Sequence, residues 1–265
     1  MTEAPRERPD YALLDRAGAA AAMFYPGADP YPPPEGASDL LIAVDDRASI
    51  GARFYPHDAS RPTLLYFHGN GEVASDHDGI APLYHAIGVN LFVAEFRGYG
   101  RSTGTPTLAS MIGDAHAVAA SFHETLDRLG FAPERLVMGR SLGTHPALEL
   151  AAHAARPLRG LIVESGAGNL RRMLERMGLL DTEAGGRLAA AHEAKVASIR
   201  VPALLIHGES DELVPLSSAF ALRDGLTGCE RTLVTIPGAG HNDLLWAGRD
   251  RYFEAIEEFV RRVAG

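Results

Sequence analysis

The chain has 265 residues, 46% of them hydrophobic and 22% charged, the size and balance of one large globular domain with a full core. A formal net charge of −9 argues against a nucleic-acid-binding class, which needs a basic face to neutralise phosphate, and against docking on anionic lipid. Cys229 is the single cysteine, so an intrachain disulfide is excluded and a reducing compartment suits the chain.

The opening stretch Met1-Thr-Glu-Ala-Pro-Arg-Glu-Arg-Pro-Asp10 carries mixed charge where a secretory signal would be apolar. The run from Ala17 to Tyr25 is too short to span a bilayer. A cytoplasmic protein without stable membrane insertion is the expectation. Residues 1–38 read as an N-terminal arm: a short alanine-rich helix, then an extended path forced by Pro26, Pro30, Pro32, Pro33 and Pro34.

Residues 39–265 read as one α/β domain. Leu40–Val44 and Ile50–Tyr55, separated by Asp45-Asp46-Arg47, predict an antiparallel hairpin at a sheet edge. Six continuous apolar runs follow, near 63–67, 90–96, 134–139, 159–164, 202–207 and 231–236, as expected of parallel strands buried on both faces. Between them Leu108, Ile112, Ala115, Ala119, Phe122, Leu126 and Leu129 recur at helical spacing. Phe253, Ile256, Val260 and Val263 do the same in a closing helix. The segment 166–198 is longer than a normal crossover and has room for two helices, with Asn169 and Thr182 as N-caps.

Three strand ends carry chemistry. Gly139-Arg140-Ser141-Leu142-Gly143 follows an apolar run and has the form G-x-S-x-G, a sharp strand-to-helix turn that exposes a strained serine. The run beginning at Val201 ends in a polar turn with Asp211. The run beginning at Thr232 ends in a glycine-rich loop with His241. Serine, acid and histidine in that chain order, each after a parallel strand, would meet at one carboxyl edge.

With Leu64-Leu-Tyr-Phe-His68-Gly69-Asn70-Gly71-Glu72 and Glu95-Phe-Arg-Gly-Tyr-Gly-Arg-Ser102, these motifs resemble the α/β-hydrolase superfamily. Within it the chain is similar to monoacylglycerol-lipase-like esterases and depalmitoylating thioesterases. The resemblance runs from Met23 to the final helix. It implies a mostly parallel eight-stranded sheet flanked by helices, with residues 166–198 as a small helical cap. It also implies a serine hydrolase acting on small acyl esters or thioesters through an acyl-enzyme. Ser141 would be the nucleophile, His241 the base and Asp211 its partner. The acid matches the family spacing Gly-x-x-Asp-x-x-Val-Pro, although Glu164, Glu209 and Glu212 lie on nearby strand ends. The backbone N–H groups of Asn70 and Leu142 would form the oxyanion hole. Two departures are Glu95, where the family carries aspartate, and Thr144-His145-Pro146 after the elbow, where small residues are common; His145 is expected to alter the pocket floor.

Gly71, Glu72, Met173 and Met177 are expected at the substrate pocket, while Met173, Leu174, Met177, Leu179 and Leu180 could equally pack the cap. Arg171-Arg172 could meet an anionic substrate or form a solvated face. His68 is expected to brace its loop, and Asp243 to cap a loop or helix. No set of His, Cys and carboxylate residues has zinc spacing, consecutive side chains of Asp76-His77-Asp78 diverge, and Gly98-Tyr-Gly100 is no dinucleotide fingerprint. No metal or cofactor is expected. A peptidase or C–C bond hydrolase with the same triad, and a non-catalytic binding protein on this scaffold, are the alternatives. The oligomeric state is left open.

Overall fold

The computed structural model describes residues 9–16, 23–166, 168 and 170–265. Asn169 and most of the alanine-rich run, 17–22, lie outside the described residues. The strands are β1 Ser38–Ala43, β2 Ser49–Tyr55, β3 Thr63–Phe67, β4 Asn90–Ala94, β5 Arg135–Arg140, β6 Gly160–Glu164, β7 Ala203–Gly208 and β8 Arg231–Ile236. They form one eight-stranded sheet in the order β1-β2-β4-β3-β5-β6-β7-β8. The first hairpin joins it antiparallel, through β2 on β4, and every other pairing is parallel.

The α-helices among the described residues are α1 Ala12–Arg16, α2 Ala81–Ala86, α3 Leu108–Arg128, α4 Thr144–His153, α5 Leu170–Arg176, α6 Glu183–Ser198, α7 Leu216–Gly225, α8 Leu244–Ala247 and α9 Arg249–Ala264. Alternation along each strand divides the apolar side chains between two cores. Leu65, Phe67 and Val137 pack with α3, α4, α6 and α7 on one face. Leu64, Tyr66 and Met138 pack with α2 and α9 on the other. Residues 63–67 and 160–164 are buried throughout, as a sheet covered on both faces requires.

The helical spacing holds over α3, except that Leu129 falls just past its last turn and is 53% exposed. Thr182 begins α6 as its N-cap, its Oγ1 accepting the Gly185 N–H at 3.0 Å. Gly185 belongs in this helix start because a Cβ there would overlap the Leu179 carbonyl. Thr182→Ala is expected to lower stability by about 1 kcal/mol in urea denaturation, the usual cost of losing such a cap. Among the described residues no helix is long and apolar enough to cross a membrane.

The topology positions the site. From β3 the chain first moves outward to β4, then returns to place β5 on the other side of β3. The crevice beyond the carboxyl ends of β3 and β5 is therefore a switch point of an open α/β sheet, where such sheets leave room for a ligand.

Candidate active site

Ser141 directly follows β5 and adopts φ 49°, a left-handed conformation that a residue with a side chain takes only under local constraint. The constraint is the close approach of β5, α4 and β3. A Cβ at Gly139 would overlap the Gly143 carbonyl, and one at Gly143 would overlap the Phe67 carbonyl. The elbow needs both glycines for space.

His241 and Asp211 come to this serine from the ends of β8 and β7. The Ser141 hydroxyl lies 2.9 Å from His241 Nε2, and His241 Nδ1 lies 2.8 Å from Asp211 Oδ2. Asp211 is 5% exposed, and its other oxygen accepts the N–H groups of Leu213 at 3.0 Å and Val214 at 2.7 Å. Those bonds compensate a buried carboxylate and fix its direction. His207, on β7, donates Nε2–H to the Val214 carbonyl at 2.7 Å and stands 3.4 Å from Asp211 Oδ2.

The other carboxylates near these strand ends have different partners. Glu209 accepts the Thr235 hydroxyl, and Asp243 accepts the Gly240 N–H at 2.6 Å inside the histidine loop. Glu164 accepts Arg140 Nε–H at 3.1 Å and the Tyr252 hydroxyl at 2.7 Å. Parallel register sets Arg140 opposite Glu164 at the ends of β5 and β6. From there the guanidinium also pairs with Glu72 and donates to the His241 carbonyl at 3.1 Å and Asn242 Oδ1 at 3.0 Å. Burial is the largest influence and pulls its pKa down, but the charge and hydrogen bond of Glu164, together with Tyr66 and Tyr252, hold it above the ordinary value. One largely buried cation thus ties the elbow to the end of β6 and to the loops after β3 and β8.

The loop after β3 is fastened from the arm. Asn70 donates Nδ2–H to the Met23 carbonyl at 2.6 Å, and its Oδ1 accepts the Tyr25 N–H at 3.0 Å and the Tyr99 hydroxyl at 2.5 Å. Glu95 accepts the N–H groups of Ala74 and Arg101, and a Cβ on Gly100 would collide with it. The longer acid therefore replaces aspartate where a glycine leaves it space. His68 donates Nδ1–H to the Gly69 carbonyl at 2.7 Å and packs against Phe96 and Tyr99.

Burial pushes the His68 imidazole down to about 3. A histidine kept neutral in the fold, but free to ionise when unfolded, stabilises fully above the unfolded value of 6.5, and that stability is lost as pH falls toward 3. From His68 alone, a drop to about pH 5 should cost roughly 2 kcal/mol. Urea denaturation at both pH values, compared with His68→Gln, is expected to show a shallower acid dependence in the variant.

Ser141, Asn70 and Leu142 line one cavity of about 670 Å³. Met173 and Met177 from α5 and its end, Met23 from the arm, and Leu213, Val214 and Ala221 give it apolar walls. His145, also expected there, is 6% exposed and lines it. Glu72 is placed elsewhere: with Arg140 and Glu164 it lines a second cavity of about 400 Å³. Gly71 is a turn residue with φ 83° and does not appear in the lining of either cavity.

Asp76, His77 and Asp78 are engaged in the fold. Asp76 accepts the Val73 N–H at 2.8 Å, His77 is buried, and Asp78 accepts from Arg53 and Tyr55. Among the described residues no group of three His, Cys, Asp or Glu side chains is arranged to hold a metal ion.

Sequence reasoning missed Arg140, His207 and Met23. The first two had a signal, a charged or polar residue at the carboxyl end of an otherwise apolar strand. Met23 had none, since the fold-back of the arm depends on Asn70 far along the chain.

Residues 58–182 match a family model described as serine aminopeptidase, S33. The chain is 32% identical over 209 residues to alpha/beta hydrolase domain-containing protein 17B of Homo sapiens, covering 75% of this chain and 66% of that protein. It is 30% identical over 207 residues to protein bem46 of Schizosaccharomyces pombe, covering 76% of this chain and 68% of that one. It thus spans about two thirds of the length of these relatives. The Pyrococcus furiosus esterase Pf2001 shares the fold, with a TM-score of 0.70 over 91% of this chain and 99% of its own at 18% identity. By this likeness of sequence, joined to the sheet order and the strand-end placement of its motifs, the chain belongs to the α/β-hydrolase superfamily, a hydrolase family.

Proposed function

We propose that the protein is a serine hydrolase that cleaves small carboxylic esters or thioesters through an acyl-enzyme. The observation that carries this reading is the hydrogen-bonded line from Ser141 through His241 to Asp211, with separations of 2.9 and 2.8 Å, at the wall of a mostly apolar cavity. His241 Nε2 takes the hydroxyl proton as Ser141 Oγ attacks the substrate carbonyl carbon. Asp211 holds the imidazole with its other nitrogen protonated and stabilises the cation that forms.

The N–H groups of Leu142 and Asn70 receive the oxyanion, each worth about 3 kcal/mol to the transition state. The tetrahedral intermediate collapses as His241 returns its proton to the leaving oxygen or sulfur. A water molecule, deprotonated by the same histidine, then releases the acid and restores Ser141. Each step uses groups of this chain, and no cofactor is invoked.

The apolar lining favours an acyl chain over a peptide, although the matching family model bears an aminopeptidase description. Rates on p-nitrophenyl acyl esters of increasing length, set beside aminoacyl anilides, test the reading. Ester turnover with little anilide cleavage supports it. Faster anilide cleavage would make the protein a peptidase with the same triad.

A further inference from the structure

The charged side chains in the lining of the serine cavity are two arginines, Arg172 and Arg176. They stand one turn apart on α5, at a spacing that makes side chains neighbours on a helix surface. Both are exposed, so they occupy the mouth of the cavity. Their neighbour Arg171 pairs with Glu193 of α6. Among the described residues neither Arg172 nor Arg176 has a carboxylate within ion-pair distance. Two like charges at this spacing repel each other and weaken a short helix. In a chain of net charge −9, a cationic opening with no acid in its lining is a local reversal of sign that would concentrate anions there.

A second observation comes from His145. It is buried, lines the same cavity, and its Nδ1 has no hydrogen-bond partner. Burial holds the imidazole down to about 4, so it is neutral at ordinary pH. Buried polar atoms in native proteins nearly always have partners, and this one belongs to a side chain in the cavity lining.

We propose that the substrate is an amphipathic ester or thioester bearing a phosphate or carboxylate, which Arg172 and Arg176 hold at the mouth while its apolar chain lies on Met23, Leu142, Met173 and Met177. This rests on the serine-hydrolase reading above. The guanidinium fork matches both anions, since each offers two oxygens to paired N–H donors. The apolar walls and Ser141 fix where the reacting carbonyl stops.

Two matched substrate pairs test it, placing the anion on opposite sides of the scissile bond. The first compares mono-p-nitrophenyl suberate with p-nitrophenyl octanoate; the second compares decanoylglycerol phosphate with decanoylglycerol, below micelle-forming concentrations. At low salt the anionic member of at least one pair should have a kcat/KM about tenfold or more higher, and the preference should shrink as salt is raised. In the double variant Arg172→Gln/Arg176→Gln the ratio should fall toward one, with the loss in KM for the anionic member. A thermal midpoint close to wild type confirms that the exposed changes leave the fold intact.

Equal treatment of both members in both pairs, or a preference that survives in the double variant, overturns the anionic-substrate inference while leaving the hydrolase reading standing. If no ester is cleaved and a fluorophosphonate leaves Ser141 unmodified, the hydrolase reading fails and this inference falls with it.

Discussion

Ser141→Ala is expected to lower kcat for p-nitrophenyl esters by on the order of 10⁴- to 10⁶-fold while leaving the fold and KM nearly unchanged. In the proposed mechanism the hydroxyl is the atom that bonds to the substrate, and the proposed oxyanion donors and the cavity walls remain when it is removed. His241→Ala should cost a similar factor, because an alcohol without a base in contact is a poor nucleophile. The double variant should be little worse than either single one, since serine and histidine act as a unit in the proposed mechanism. Stopped-assay kinetics on the three variants measure this. Multiplying losses would mean that the two side chains act separately and that the 2.9 Å contact is not the catalytic one.

Arg140→Met should have the next largest effect, on both stability and rate. The arginine side chain is 12% exposed and that of its partner Glu164 is 4% exposed, so removing the guanidinium leaves a buried carboxylate whose donors among the described residues are the hydroxyls of Tyr252 at 2.7 Å and Tyr66 at 3.5 Å. Breaking such a pair costs about 3–5 kcal/mol. The same change releases the His241 carbonyl and Asn242 from the elbow. A histidine displaced by an ångström would lower kcat by roughly 10²-fold.

Adding Glu164→Gln removes the buried charge and should restore much of the stability without restoring kcat. Urea denaturation and kcat, measured where all variants are folded, separate the two roles. A kcat within about twofold of wild type in folded Arg140→Met would show that the brace does not position the histidine.

Much of this architecture was legible because parallel strands announce themselves as unbroken apolar runs. Thr63–Phe67 and Arg231–Ile236 fall where those runs predicted them, and β1 and β2 form the expected edge hairpin. The loops that carry Ser141, Asp211 and His241 were found because each ends such a run. Less legible was everything fixed by register between strands. Arg140 reads as a variable residue inside a motif until β5 and β6 are aligned and Glu164 falls opposite it. Glu164 itself, an acid at a strand end, is indistinguishable by sequence from a triad member.

Arg53 is similar. It is fully buried and bound to Asp39 and Asp78, yet in the sequence it is one charged residue within a strand. Glu72 lies beside the expected oxyanion loop but turns toward Arg140, because a glutamate two residues past Asn70 can reach the guanidinium across the strand ends. The segment 166–198 is divided in the same way. Thr182 marked the start of a helix, whereas the placement of Met173 and Met177 on the cavity depended on how α5 settles over the sheet.

The proposed acyl-enzyme is open to direct observation. Intact-mass analysis after brief exposure to a p-nitrophenyl ester, or to a fluorophosphonate as a trapping agent, followed by peptide mapping, should show one covalent adduct on Ser141. It should be absent from Ser141→Ala and slow to form in His241→Ala. Ester turnover without any adduct, or an adduct on another residue of an enzyme that still turns over when Ser141 is removed, would contradict nucleophilic catalysis by this serine.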